Sequence, residues 1–140
     1  YPDEWEEIDG NVEVTPGMTV GQQSRKVFGV SYKTRVGSDV DPEASAYKLH
    51  LIYGATASPS EKQRQSVNDS PEAMTMSWEF NTTPVPVKGK KPTSHVTIDS
   101  AKVQPDKLKA LEEILYGKES DEAEPRLPLP DEVATLLGLA

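Results

Sequence analysis

Residues 71–87 read PEAMTMSWEFNTTPVPV, and the fold that the sequence predicts is arranged around this stretch. Between residues 73 and 81 large apolar side chains alternate with polar ones, and this period of two predicts a half-buried β-strand. The apolar positions are Met74, Met76, Trp78 and Phe80. Because burial of each of these side chains would contribute about 1.5 to 3 kcal/mol, we expect the strand to be the centre of the core. Met and Trp are also favoured at subunit interfaces, which is the alternative for Met74, Met76 and Trp78.

The apolar pattern changes after this strand. Val85 and Val87 alternate with Pro84 and Pro86, and neither proline has an N–H to donate to a strand ladder. We therefore expect a bulge or a sheet edge at residues 82–86.

Four further segments carry strand patterns. They are residues 12–14, 24–36, 46–55 and 93–99. Residues 24–36 place Phe28, Val30 and Tyr32 on one face, and residues 93–99 place Val96 and Ile98 inward. Residues 46–55 place four large side chains on one face, namely Tyr47, Leu49, Leu51 and Tyr53. Pro16-Gly17 is a turn pair that ends the first segment. The loop at residues 37–44 should join the second and third segments as a hairpin, and residues 58–71 should form a long surface loop.

The period changes from two to nearly four toward the end of the chain. Pro105 and Asp106 suit the first turn of a helix, and Gly117 suits its end. The apolar stripe consists of Leu108, Leu111 and Leu115 with Ala110 and Ile114, so we expect a helix over residues 105–116 packed on the sheet. An acidic linker at residues 118–126 and a short helix at residues 130–137 follow. Strands first and helices late predict a mainly β, α+β fold with an antiparallel sheet.

Length and composition favour one domain over residues 1–140. The chain has no cysteine, so disulfides, thiol nucleophiles and Cys-based zinc sites are excluded. No apolar run approaches the roughly 18 residues that a membrane span requires. The net charge is −8, and residues 1–24 hold six carboxylates without a Lys or Arg, which disfavours binding to nucleic-acid phosphates. The first residue is Tyr1, so we expect that N-terminal residues are missing.

No pattern of residues predicts a catalytic, cofactor or metal site. His50 and His95 both fall at outward positions of predicted strands, which favours surface or interface imidazoles over ligands or bases. The acidic cluster at residues 3–9 lacks the ligand spacing of a calcium loop and is expected to be solvated. Lys88, Lys90 and Lys91 are expected to form a solvated basic turn rather than a nucleic-acid site.

Several strings of ordinary residues resemble the major tail tube protein of long-tailed, siphovirus-like bacteriophages. They are residues 52–61 (IYGATASPSE), 67–73 (VNDSPEA), 77–79 (SWE), 82–87 (TTPVPV), 91–93 (KPT), 97–100 (TIDS) leading into 108–117, and 126–133 (RLPLPDEV). The resemblance runs from about residue 1 to residue 137 and is specific through its length, since no chemical signature is part of it.

This resemblance implies an antiparallel β-sandwich or barrel-like tail-tube fold flanked by a helix at about residues 105–116 and a short C-terminal helix. It implies a structural subunit that assembles with itself into stacked hexameric rings and meets the tape-measure protein and other tail proteins. The tube would be the conduit for genome delivery, with DNA passing through the lumen without specific binding. The implied protein is not an enzyme, has no cofactor and no membrane partner, and is made in the host cytoplasm for the virion tail.

Two other functions are compatible with the residues. The first is a monomeric β-sandwich binding module of a virion, which would present the loops at residues 37–44 and 58–71 to a carbohydrate or host receptor. The second is a hydrolase with a carboxylate pair that lacks a recognisable motif.

Overall fold

A computed structural model describes residues 4–37, 46–58, 78–118 and 124–138. The helices are α1 (Glu4–Asp9), α2 (Pro105–Tyr116) and α3 (Pro130–Leu136). The strands are β1 (Val12–Thr15), β2 (Met18–Val20), β3 (Phe28–Arg35), β4 (Tyr47–Ala57), β5 (Phe80–Thr82), β6 (Val85–Val87), β7 (Lys90–Thr93) and β8 (His95–Asp99). The mainly β, α+β class with antiparallel sheets is confirmed, while the sandwich or barrel arrangement stays a prediction.

The chain divides into two compact units. One comprises Tyr1–Phe28 and Ala55–Asn81, and the other comprises Gly29–Gly54 and Thr82–Ala140. In the first unit, β1 and β2 form a two-stranded antiparallel hairpin in which Val12 pairs with Val20. Its turn contains Gly17, so the predicted short strand and its turn are both confirmed.

Strand β4 is central in the larger sheet. It is hydrogen-bonded to β3, and on its other side to β8 and β5. The β4–β8 pairing is antiparallel, with Lys48 opposite Asp99 and Ile52 opposite His95. The N–H of Val36 donates to the carbonyl oxygen of Ala46, which joins the ends of β3 and β4 as the predicted hairpin requires.

The core of the second unit lies between the strands β4 and β8 and the helices α2 and α3. Its buried members are Leu49, Leu51, Tyr53, Ile98, Leu108, Leu111, Leu115 and Val133. The predicted alternation along β4 is confirmed, because its odd-numbered residues from 49 to 57 are buried while the even-numbered ones are half-buried. The alternation from residue 48 to residue 57 gives this strand a continuous apolar face, and Leu49, Leu51 and Tyr53 on that face share one core cluster with the three leucines of α2.

The expectation that residues 73–81 form the central core strand is wrong in the part that can be compared. Residues 71–77, with Met74 and Met76, lie outside the described residues, and so does the bulk of the predicted loop at 58–71. Trp78 is half-buried and precedes β5, which begins only at Phe80. Phe80 is 39% exposed. Size and alternation identified strand-like residues, but they did not identify which strand the helices would cover.

The irregularity expected at residues 82–86 is confirmed. Strand β5 ends at Thr82, and β6 pairs instead with β7. The register of β6 against β7 shifts between Val85 and Val87, at the position of Pro86. The chain therefore changes its pairing partner where proline removes ladder donors.

Helix α2 has the predicted bounds, with Pro105 in its first turn and Asp106 beside it. Leu108, Leu111 and Leu115 are buried, but Ala110 is exposed, so its place in the apolar stripe was wrong. At 100° per residue, position 110 lies far from the direction shared by the three leucines. Helix α3 ends one residue before the predicted boundary.

Helix α1 was not predicted, because six residues rich in acidic side chains carry little helical periodicity. Among the described residues, no helix is long and apolar enough to cross a membrane.

Candidate interaction surfaces

The outer edge of β3 offers backbone groups for pairing. Within the described ranges β3 has one strand neighbour, β4. Since the N–H of Val36 points to Ala46, the alternation of an antiparallel strand turns the N–H groups of Ser31, Lys33 and Arg35 to the opposite side. The last four residues of β3 are exposed. An exposed strand edge of this kind is a template for pairing with another chain.

Polar contacts link the face of β3 that carries Ser31 and Lys33 to helix α2. Lys33 Nζ lies 2.6 Å from Glu112 Oε1 and over the rings of Tyr47 and Tyr116, 4.9 and 5.3 Å from their centroids. The Tyr47 hydroxyl donates to the same carboxylate oxygen at 2.8 Å. Desolvation is the larger cause, and the hydrogen bond and charge of Glu112 the smaller cause, that raise the pKa of Tyr47 to about 12. Ser31 Oγ and the Tyr116 hydroxyl are 3.0 Å apart. These contacts hold β3 in place beside α2, so its open edge is presented in a defined position.

The opposite face of this sheet carries a row of three stacked rings, which we call the Tyr32–His50–His95 row. The Tyr32 and His50 ring centroids are 4.7 Å apart with planes 10° from parallel. The His50 and His95 centroids are 5.3 Å apart with planes 14° from parallel. The prediction that both histidines point outward from their strands is confirmed: His50 is half-buried and His95 is exposed.

Hydrogen bonds fix the two imidazoles of this row. Nδ1 of His50 lies 3.1 Å from Nε2 of His95, and Nε2 of His50 lies 2.9 Å from Thr34 Oγ1. Thr97 Oγ1 is 3.4 Å from Nε2 of His95. The sequence placed each histidine on an outward face, but their meeting depends on the β4–β8 register. In that register His50 is opposite Thr97 and therefore diagonal to His95.

The β1–β2 hairpin exposes apolar side chains. Val12, Val14 and Met18 are 44%, 61% and 56% exposed. The Gly17 N–H donates to Glu13 Oε1 at 2.8 Å, which closes the turn. Three of the seven strand residues of this hairpin are therefore large, apolar and exposed.

Four aromatic rings meet in the first unit. Trp5 stacks on Trp78 with centroids 4.9 Å apart, and Phe28 meets Phe80 edge to face at 5.1 Å. Trp5 also lies within 6.2 Å of Phe28 and 6.4 Å of Phe80. Trp78 therefore belongs to a half-exposed aromatic cluster.

The acidic cluster at residues 3–9 is only partly solvated among the described residues, since Glu7 is exposed but Glu6 and Asp9 are half-buried. Glu7 in α1 pairs with Lys26 at 2.7 Å, and this hydrogen bond and charge lower the pKa of Glu7. Lys88, Lys90 and Lys91 are exposed around the β6–β7 turn, and the Lys88 backbone N–H donates to Asp131 Oδ1 at 2.9 Å. No group of three or more potential metal ligands occurs among the residues that the structure describes.

Of the loop predicted at residues 37–44, only Gly37 lies within the described residues. Comparison with protein-family models, with known proteins and with solved structures gives no match to this chain.

Proposed function

We propose that this chain is a structural subunit that joins copies of itself into stacked hexameric rings, as the tail tube of a long-tailed bacteriophage. The single observation that carries the proposal is the open edge of β3, where the N–H groups of Ser31, Lys33 and Arg35 point away from β4 and the last four residues are exposed. The sequence strings described above supply the ring geometry and the phage tail, since edge pairing alone specifies neither.

Edge pairing would join neighbours within a ring. A strand of the adjacent copy added to β3 would satisfy the N–H groups of Ser31, Lys33 and Arg35. Closure into a ring requires a heterologous contact, in which the β3 edge of one copy meets a different strand of the next, whereas pairing of β3 with β3 would give a two-fold dimer.

The exposed apolar hairpin and the acidity of the chain support the same proposal. Val12, Val14 and Met18 would be removed from water when a second copy covers β1 and β2. A net charge of −8 suits a conduit for DNA, since like charges repel a polyanion and keep it from binding the wall.

The test compares two variants at one position. Arg35→Pro removes an outward N–H at the β3 edge, whereas Arg35→Ala keeps that N–H and removes only the side chain. The full-length wild type should form rings or tubes in negative-stain micrographs and a concentration-dependent oligomer in analytical ultracentrifugation. Arg35→Ala should assemble likewise, while Arg35→Pro should stay small with an unchanged far-UV circular dichroism spectrum.

Two results would contradict the proposal. Assembly of Arg35→Pro equal to that of the wild type would remove the β3 edge from the interface. A full-length chain that stays monomeric at millimolar concentration and binds a host carbohydrate would favour the monomeric binding module.

A further inference from the structure

We propose that His50 and His95 together form a binding site for a divalent first-row transition-metal ion, with Zn²⁺ and Ni²⁺ as the matching ions. The site lies on the face of the sheet that carries the Tyr32–His50–His95 row. It is independent of the assembly proposed above, because all of its residues belong to one chain.

The distance between the two nitrogens fits one ion. Nδ1 of His50 and Nε2 of His95 are 3.1 Å apart. With metal–nitrogen bonds of 2.0 to 2.1 Å, two imidazoles at a right angle have nitrogens about 2.9 Å apart, and at a tetrahedral angle about 3.4 Å. The measured separation falls between these values. The 5.3 Å between the ring centroids shows that the two nitrogens face each other almost in line, so both imidazoles must also turn for their lone pairs to meet at one ion.

The surroundings orient the first ligand. Thr34 Oγ1 lies 2.9 Å from Nε2 of His50, so a hydrogen on Nε2 can be donated to that hydroxyl while the lone pair of Nδ1 faces His95. Metal-binding imidazoles commonly have such a partner for the second ring nitrogen, and the partner fixes the tautomer. The Tyr32 ring stacks on His50 at 4.7 Å and restricts rotation of the imidazole.

The second ligand is accessible to solvent. His95 is exposed, so its ring hydrogen can move from Nε2 to Nδ1 by exchange with water. That exchange frees the Nε2 lone pair without net loss of a proton. Water would complete the coordination sphere, since the two imidazoles supply two ligands.

The ligand chemistry selects the class of ion. Imidazole nitrogen favours zinc, nickel and copper over magnesium and calcium, which prefer oxygen. The whole chain has two histidines and no cysteine, so imidazole binding can arise at this pair alone. Binding elsewhere in the chain would have to use carboxylates.

Calorimetric titration of the full chain with ZnCl₂ and with NiCl₂ tests the proposal. We expect one site per chain in the wild type, loss of that site in His50→Gln and in His95→Gln, and unchanged binding in the matched control Lys48→Gln. Lys48 lies on the same face of β4, two residues from His50. Thr34→Val should weaken binding by about 10-fold to 100-fold, as expected for a positioning residue. An excess of Mg²⁺ should not compete.

A measurement on the wild type covers the case in which a histidine variant fails to fold. In NMR spectra, sub-stoichiometric Ni²⁺ or Cu²⁺ should broaden the imidazole signals of both histidines together. Broadening of one imidazole without the other, absence of Zn²⁺ and Ni²⁺ binding, or binding that persists in the double His50→Gln, His95→Gln variant would overturn the proposal.

Discussion

The hydroxyl of Tyr53 donates a 2.6 Å hydrogen bond to the backbone carbonyl oxygen of Pro128. Tyr53 lies on β4 and is 3% exposed, and Pro128 is a fully buried residue shortly before α3. This bond fastens the segment that enters α3 to the central strand. Burial, with a smaller contribution from Glu132, raises the pKa of Tyr53 to about 12.

Tyr53→Phe should lower the free energy of unfolding by about 1 to 3 kcal/mol at neutral pH, because the carbonyl of Pro128 loses its buried donor. Urea denaturation measures this loss. Tyr32→Phe, which removes an exposed hydroxyl on the other face, is the control and should change stability little. Equal stability of the two variants would show that the hydrogen bond contributes nothing.

The same tyrosine predicts a pH dependence. The pKa of Tyr53 is raised in the folded state from an ordinary value of 10.0, because the fold favours the neutral phenol. The stability that this preference contributes is therefore fully present below pH 10. That stabilisation is lost as the pH rises from 10 to about 12, and it amounts to at most about 2 to 3 kcal/mol. The free energy of unfolding measured in urea should therefore fall over this range, and it should fall less steeply in Tyr53→Phe. An identical slope in the variant would assign the dependence to other groups, such as Tyr47.

Leu111→Ala should destabilise the chain by about 2 to 5 kcal/mol, since Leu111 is fully buried in the core between α2 and β4. Thermal and urea unfolding measure the change. Lys109→Ala on the exposed side of the same helix is the control and should shift stability by less than about 0.5 kcal/mol. A small effect of Leu111→Ala would mean that α2 does not cover β4 in this manner.

Gly54→Ala should be strongly destabilising for two reasons. Gly54 has a φ of +61°, which disfavours a side chain, and a Cβ there would collide with the carbonyl oxygen of Thr83. Gly17→Ala is the matched control, because Gly17 has a φ of +85° with open space around it. Gly17→Ala should cost about 1 to 2 kcal/mol for conformation alone, and Gly54→Ala should cost more. Equal melting temperatures would contradict the collision.

Trp78→Ala should cost about 1 to 3 kcal/mol, less than the roughly 3 to 5 kcal/mol of a fully buried tryptophan, because Trp78 is half-buried. A double-mutant cycle with Trp5→Ala should give a coupling of about 0.5 to 1.5 kcal/mol from the stacked rings. A loss of 4 kcal/mol or more in the free energy of unfolding would indicate that Trp78 is a core residue, as the alternation of residues 73–81 predicts.

Local signals account for the features that were predicted well. The bounds of α2 followed from Pro105, Asp106 and the leucine spacing, all of which act within the helix itself. The alternation along β4 followed from its side chains in the same manner. The six residues of α1 carry too few signals to be recognised, and Ala110 was misplaced because it was assigned by its apolar character although its position in the helix lies away from the three leucines.

The sequence by itself determined the antiparallel α+β class, the alternating faces of β4, and the helix that follows the strands. Tertiary structure alone decided that β4 carries the core of the second unit, that Trp78 and Phe80 lie outside that core, and that His50 meets His95. Periodicity fixes how side chains alternate along one strand, whereas the choice of covering helices and the register between strands depend on contacts between residues far apart in the chain.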